Sequence, residues 1–227
     1  MYRLYIANKN YSSWSLRPWV LMSELGIEFT EQLVPFGDAA SWTSYCKISP
    51  AGKVPCLAND GSIVWDSLAI TEYLAERHAG VWPTDSHARA WARSAAAEMH
   101  SGFSELRHRC AMSCGVRIRL HESTPGFERD LARLSELWSD GLHRFGGPFL
   151  AGESFSAADA FFAPVAFRVQ TYALAVEGTA ARYVALLLNL RSMRRWYAEA
   201  LEETFRDEPH EREIAQMGVV LQDLRQK

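Results

Sequence analysis

"NKNYSSWSLRPW", residues 8–19, decides how the first third of this chain is read. Before it, Tyr2, Leu4 and Ile6 alternate with Arg3 and Tyr5, a pattern that predicts a short strand. After it, an apolar run begins at Trp19 and meets Gly26, which predicts a helix and its stop. The turn between them carries Tyr11, Ser12, Ser13, Trp14 and Ser15. Serines in front of a helix serve as N-caps. They also stand beside unpaired N–H groups and a partial positive charge, where a bound thiolate is stabilised. Lowering a thiol pKa of about 8.5 by two units takes about 2.7 kcal/mol. One hydrogen bond to a charged acceptor, roughly 1.5–3 kcal/mol, plus part of the helix dipole is enough. Pro18 suits a first helical turn, where its missing N–H costs nothing. It therefore predicts Ser15 as the cap and leaves Ser12 and Ser13 free for a ligand.

Outward from this turn, residues 29–34 (FTEQLV) read as a second strand. Ser49-Pro50-Ala51-Gly52 marks a turn. Residues 54–57 and 62–65 read as two strands joined by Asn59-Asp60-Gly61, and residues 67–78 as a helix. The predicted order is β-α-β-loop-β-β-α. Beyond Gly80 and Pro83 the pattern turns helical, and no strand is expected over residues 87–201. "ARAWARSAAAEMHSGFSELRHRCAM" reads as one long amphipathic helix. "FERDLARLSELWSDGLHRF" reads as another, stopped at Gly146-Gly147-Pro148. The expectation is an α/β domain over residues 1–80 followed by an all-α domain over 87–227.

Composition narrows the function. The 227 residues are 48% hydrophobic and 22% charged, an ordinary globular balance. A net charge of −3 gives no basic field for nucleic acid or an anionic membrane surface. No apolar run approaches the length of a membrane span, and no signal-peptide pattern opens the chain. Cys46, Cys56, Cys110 and Cys114 form no C-x-x-C pair, which predicts free thiols in a reducing cytoplasm, with Cys110 and Cys114 on one helix face. His78, His87, His100, His108, His121, His143 and His210 make no metal-ligand spacing, so no metal is expected.

Further constellations stand out. In Gly52-Lys53-Val54-Pro55, a cis peptide before Pro55 would expose the Val54 backbone to an extended peptide. Asp66 and Ser67 stand where a strand gives way to a helix. Asp66 can cap that helix, or it can accept from an ammonium group while Ser67 donates to a carboxylate. Ser156-Ala157-Ala158-Asp159 is a capping box. Arg168 and Tyr172, four apart, read as pocket closers or as a structural pair.

Taken together, these stretches resemble the glutathione transferase superfamily over nearly the whole chain. "SSWSLRPWVLMSELGI" is similar to the serine motif of its zeta class, and "SPAGKVPCL" to the loop with the family's cis-proline. "WDSLAITEYL" is similar to its γ-glutamyl-binding motif, and "SFSAADAFFAPV" to its folding box. The resemblance implies a thioredoxin-like domain followed by a helical one, glutathione as cosubstrate, a small electrophile as second substrate and a cytoplasmic homodimer acting in detoxification. Residue by residue, it makes Ser12 the catalytic serine and Ser13 the second serine. Lys53, Val54, Pro55, Asp66 and Ser67 become glutathione contacts. Tyr11, Trp14, Met99, His100, Phe103 and Arg107 become the electrophile pocket. Trp14 replaces the zeta cysteine, which speaks against maleylacetoacetate isomerase activity. A reductase of this fold needs cysteine where Ser12 stands, and a scaffold has no use for the Ser12, Pro55 and Asp66-Ser67 set.

Overall fold

The computed structural model describes residues 1–37 and 39–226, with the backbone alone at 39–42. The chain opens with β1 (Tyr2–Ile6), α1 (Ser13–Glu24), β2 (Phe29–Leu33), α2 (Ala39–Ile48), β3 (Cys56–Asn59), β4 (Ser62–Val64) and α3 (Ser67–Ala75). The sheet order is β2-β1-β3-β4. β1 runs parallel to β2 and antiparallel to β3, which pairs antiparallel with β4. α1 makes the crossover that a parallel pair requires. Leu4 and Ile6 point into the core, as the alternation predicts. Asp60 and Gly61 both have positive φ, 48° and 80°, the conformation a tight hairpin turn demands. The Val54–Pro55 peptide is cis.

The remainder comprises α4 (Ser86–Ser101), α5 (Ser104–Arg109), β5 (Val116–Leu120), α6 (Pro125–Arg144), α7 (Ala157–Tyr172), α8 (Gly178–Asn189), α9 (Arg191–Glu202), α10 (Glu208–Met217) and β6 (Gly218–Asp223). α7 is apolar on nearly every face and sits at the centre, packed against α1, α4 and α8. Its capping box forms as expected. The Asp159 carboxylate accepts from the Ser156 and Leu150 N–H groups at 2.9 and 3.0 Å and from the Tyr183 hydroxyl at 3.0 Å.

Four expectations need correction. The segment between β2 and β3 holds a helix, α2, where a loop is predicted. The long helix is broken into α4 and α5. A Cβ on Gly102 would sit 2.8 Å from the Glu98 carbonyl oxygen, and Phe103 adopts a left-handed conformation (φ 54°, ψ 42°) that ends the first segment. The region expected to be all helical contains β5, which pairs antiparallel with β6. Cys110 therefore ends α5 and Cys114 lies in the following loop, both buried, rather than on one helix face.

The β1–α1 turn is held by residues far along the chain. Lys9 is 6% exposed; its ammonium lies between the rings of Trp19 and Trp196, 5.2 and 5.4 Å from their centroids, and pairs with Glu31 and Glu199. Its backbone N–H and that of Asn10 donate to Glu203 at 2.6 and 3.1 Å. The Tyr11 hydroxyl donates to Glu211 at 2.6 Å, and Arg225 bridges Glu211 to Asp223. These contacts fix the turn against α9, α10 and β6.

Candidate active site

α1 begins at Ser13, one turn earlier than Pro18 suggests, so Ser12 occupies the N-cap position and Pro18 lies inside the helix. Yet the Ser12 side chain makes no capping bond. Its hydroxyl lies 2.7 Å from Ser15 Oγ, which also accepts from the Ala7 N–H at 3.2 Å. Ser15 is thus a buried bridge between β1 and α1 rather than the cap.

Ser12 and Ser13 line a cavity of about 480 Å³. Tyr11, Trp14, Lys53, Val54 and Arg107 line it too, bringing together seven of the residues singled out in the sequence. A second cavity of about 400 Å³ shares Trp14, Lys53 and Val54 with it and adds Pro55 and Asp66. Asp66 caps α3, accepting from the Leu68 N–H at 2.9 Å, and its other oxygen lies 3.3 Å from His100 Nε2. His100 thus stands at the Asp66 side, edge-on to Trp14 at 5.2 Å. Burial lowers its pKa against the opposing pull of Asp66.

Ser67 is fully buried at the start of α3, and its hydroxyl has no partner among the described residues. Met99 and Phe103, expected in the electrophile pocket, instead pack into the core at 1% and 5% exposure and line neither cavity. The break after α4 turns Phe103 inward.

Arginine dominates the charge here. Arg107 and Arg168 line the larger cavity, and Arg17 stacks over Trp14 at 4.2 Å and Phe161 at 4.8 Å. Burial pulls the Arg17 guanidinium down to about 9, with Arg107 and Arg168 pushing the same way. Its Nε and Nη1 have no partner among the described residues. Arg168 donates to the Cys110 carbonyl and Tyr172 to that of Ala111, so the pair ties α7 to the loop after α5 while Arg168 faces the cavity. Three guanidiniums beside a helix N-terminus favour an anion.

Models of the glutathione S-transferase N-terminal domain and C-terminal domain match residues 11–77 and 89–199. The chain belongs to the glutathione transferase superfamily. Its curated relatives include a zeta-class glutathione S-transferase of Euphorbia esula, 26% identical over 67% of this chain and 70% of its own length. A probable maleylacetoacetate isomerase of Caenorhabditis elegans is 26% identical over 75% of this chain and 80% of its own. Among solved structures, a Burkholderia glutathione transferase homologue with bound glutathione superposes with a TM-score of 0.65, at 22% identity, over 88% of this chain and 97% of its own. This likeness shows a glutathione transferase fold, with a thioredoxin-like unit followed by a helical one.

Several residues of this transferase's cavity escaped the sequence reading. Phe36 and Tyr45 come from the stretch predicted as a loop. His210 and Glu213 come from α10, beyond the end of the family match. The Asp207-Glu208-Pro209 start of α10 is an N-cap followed by a first-turn proline, the signal that would have located that helix.

Proposed function

We propose that this glutathione transferase is of the serine type: Ser12 holds the glutathione thiolate for attack on a small electrophile, by conjugation or by addition-assisted isomerisation. The supporting observation is the Ser12 hydroxyl. It sits at the N-terminus of α1, is not used for capping, and belongs to a residue on the cavity wall. The N-terminal N–H groups of α1 and the guanidiniums of Arg107 and Arg168 add positive potential.

The residues around the smaller cavity fit glutathione. The Ser67 hydroxyl, buried and without a partner among the described residues, stands beside the half-exposed Asp66 carboxylate. In this reading they meet the carboxylate and ammonium ends of the γ-glutamyl group. The Val54 backbone pairs with the cysteinyl part, Pro55 shapes that segment, and Lys53 meets the glycyl carboxylate. Ser13 is the nearest substitute for Ser12. Tyr11, Trp14 and Arg107 face the electrophile.

The family resemblance also carries a homodimer, a cytoplasmic location and a detoxifying role into the proposal. The Caenorhabditis relative favours isomerisation, whereas Trp14 in place of the zeta cysteine favours conjugation. The test is the thiolate absorbance of the glutathione complex against pH. Wild type should titrate about two units below free glutathione, and Ser12→Ala should recover most of that difference. A protein that does not bind glutathione would be a scaffold.

A further inference from the structure

α10 lies beyond the family match, yet His210 brings a titratable ring into the cavity that Ser12 lines. Asp207, the N-cap of α10, accepts from the His210 backbone N–H at 3.3 Å and lies 2.5 Å from His210 Nδ1. A carboxylate only accepts, so Nδ1 carries the proton and Nε2 is the nitrogen left for chemistry. Nε2 makes no hydrogen bond among the described residues. The ring is stacked on Tyr11 at 5.1 Å and packed on Phe36 at 4.7 Å. Tyr11 is tied to Glu211, one residue along α10, and Glu211 to Arg225. The Asp207 side chain is 5% exposed and His210 28% exposed, so the pair is anchored at one end and open at the other. Beyond capping α10, a buried carboxylate that fixes the tautomer of an imidazole is how a protein presents a proton donor or acceptor.

We propose that His210, positioned by Asp207, is a general acid of this cavity, giving the proton that addition of glutathione to an α,β-unsaturated carbonyl compound requires. This rests on Ser12 holding the thiolate. Glutathione binds and its thiol proton passes to solvent. The thiolate sulfur attacks the β-carbon and forms the C–S bond, while the C=C π pair shifts towards the carbonyl to give an enolate. Arg107 and Arg168, on the same cavity wall, offset the charge on that oxygen. The imidazolium gives its Nε2 proton to the α-carbon, the enolate pair forms the new C–H bond, and the carbonyl is restored. His210 is left neutral, with Nδ1–H still on Asp207, and regains a proton from solvent. No other reactant enters. Displacement of chloride from an aryl halide ends with an expelled anion and needs no proton donor.

That contrast supplies the test. Wild type, His210→Gln and Asp207→Asn are assayed with 4-phenylbut-3-en-2-one and with 1-chloro-2,4-dinitrobenzene, and the thiolate absorbance of bound glutathione is titrated in each. His210→Gln should lower kcat for the enone by about 100-fold and Asp207→Asn by about ten-fold, in each case several-fold more than for the aryl halide. Bound-thiolate titration should be unchanged. His210→Ala, assayed beside them, should regain part of its enone activity when imidazole is added. Equal losses on both substrates would mark His210 as a wall residue and overturn the inference, as would no loss on either. Aryl halide turnover without enone turnover in wild type overturns it too, leaving the Ser12 reading intact. A wild-type complex without a thiolate band overturns the Ser12 reading, and this inference with it.

Discussion

Ser12 Oγ and Ser15 Oγ lie 2.7 Å apart, and both residues are buried. Ser12 donates to Ser15, which also accepts from the Ala7 N–H, so the Ser12 hydroxyl must turn from Ser15 to the cavity to hold a thiolate. Ser12→Ala should raise the pKa of bound glutathione by about one to two units and cut neutral-pH turnover about ten- to a hundred-fold. Ser15→Ala removes only an acceptor for Ser12 and should leave the titration unchanged. It should cost about 1–3 kcal/mol of stability, because the buried Ala7 N–H loses its acceptor. Ultraviolet titration and urea unfolding read the two effects separately; a shift confined to Ser13→Ala would move the role one residue along.

Ser67→Ala removes a hydroxyl that has no partner among the described residues. Stability should stay level or rise slightly, while KM for glutathione rises about ten-fold, the loss of one hydrogen bond to a charged group. Isothermal titration with glutathione beside thermal unfolding checks both. A loss of stability with unchanged affinity would make Ser67 structural.

Burial raises the Asp159 carboxyl to about 6, against the lowering effect of the Leu150, Ser156 and Tyr183 donors. For an acid raised in the folded state, the bound proton favours folding. That contribution is complete below the unfolded value of about 3.9 and is lost as pH rises to about 6. Wild type should therefore lose stability relative to Asp159→Asn across that window, to be read from unfolding midpoints at pH 4 to 7. Asp159→Ala strands four donors, two of them on Ser156, and should cost about 3 kcal/mol or more at any pH, on the order of several lost buried bonds.

Arg225 is almost wholly buried and holds Glu211 and Asp223 at once. Arg225→Met should leave two carboxylates facing each other and loosen α10 and β6 first. Hydrogen exchange should quicken over residues 208–223 about ten- to a hundred-fold before it changes in α7.

Light scattering at micromolar concentration should give twice the 25.6 kDa monomer mass, as the family resemblance implies. A 25.6 kDa species under those conditions would set the homodimer aside.

Most of the first sheet was legible because its signals are local: alternation in β1, the Asn59-Asp60-Gly61 turn, the Gly26 stop. The serine turn and Asp66-Ser67 were legible for the same reason. The helix start was misread because Pro18 obeys a local rule that tertiary packing overrides; α1 is buried against α7 and tolerates a proline inside it. β5 did carry alternation, Val116-Arg117-Ile118-Arg119-Leu120, but one short strand amid helices gains meaning only from β6, about a hundred residues later. Nothing near His210 in sequence announces Tyr11 and Phe36 as its neighbours.

Lys9, Asn10 and Tyr11 depend on partners at 199, 203, 211 and 225, up to 214 positions downstream. Translation runs at about 5–20 residues per second, so the turn carrying Ser12 leaves the ribosome roughly 10–40 s before the groups that fasten it. Until then a lysine and an asparagine that end up buried must stay hydrated, and the aromatic cage around Lys9 lacks Trp196. The nascent chain can close the sheet early, but it has no finished cavity to offer a thiol. The cavity is thereby withheld until residues 199–225 have left the ribosome.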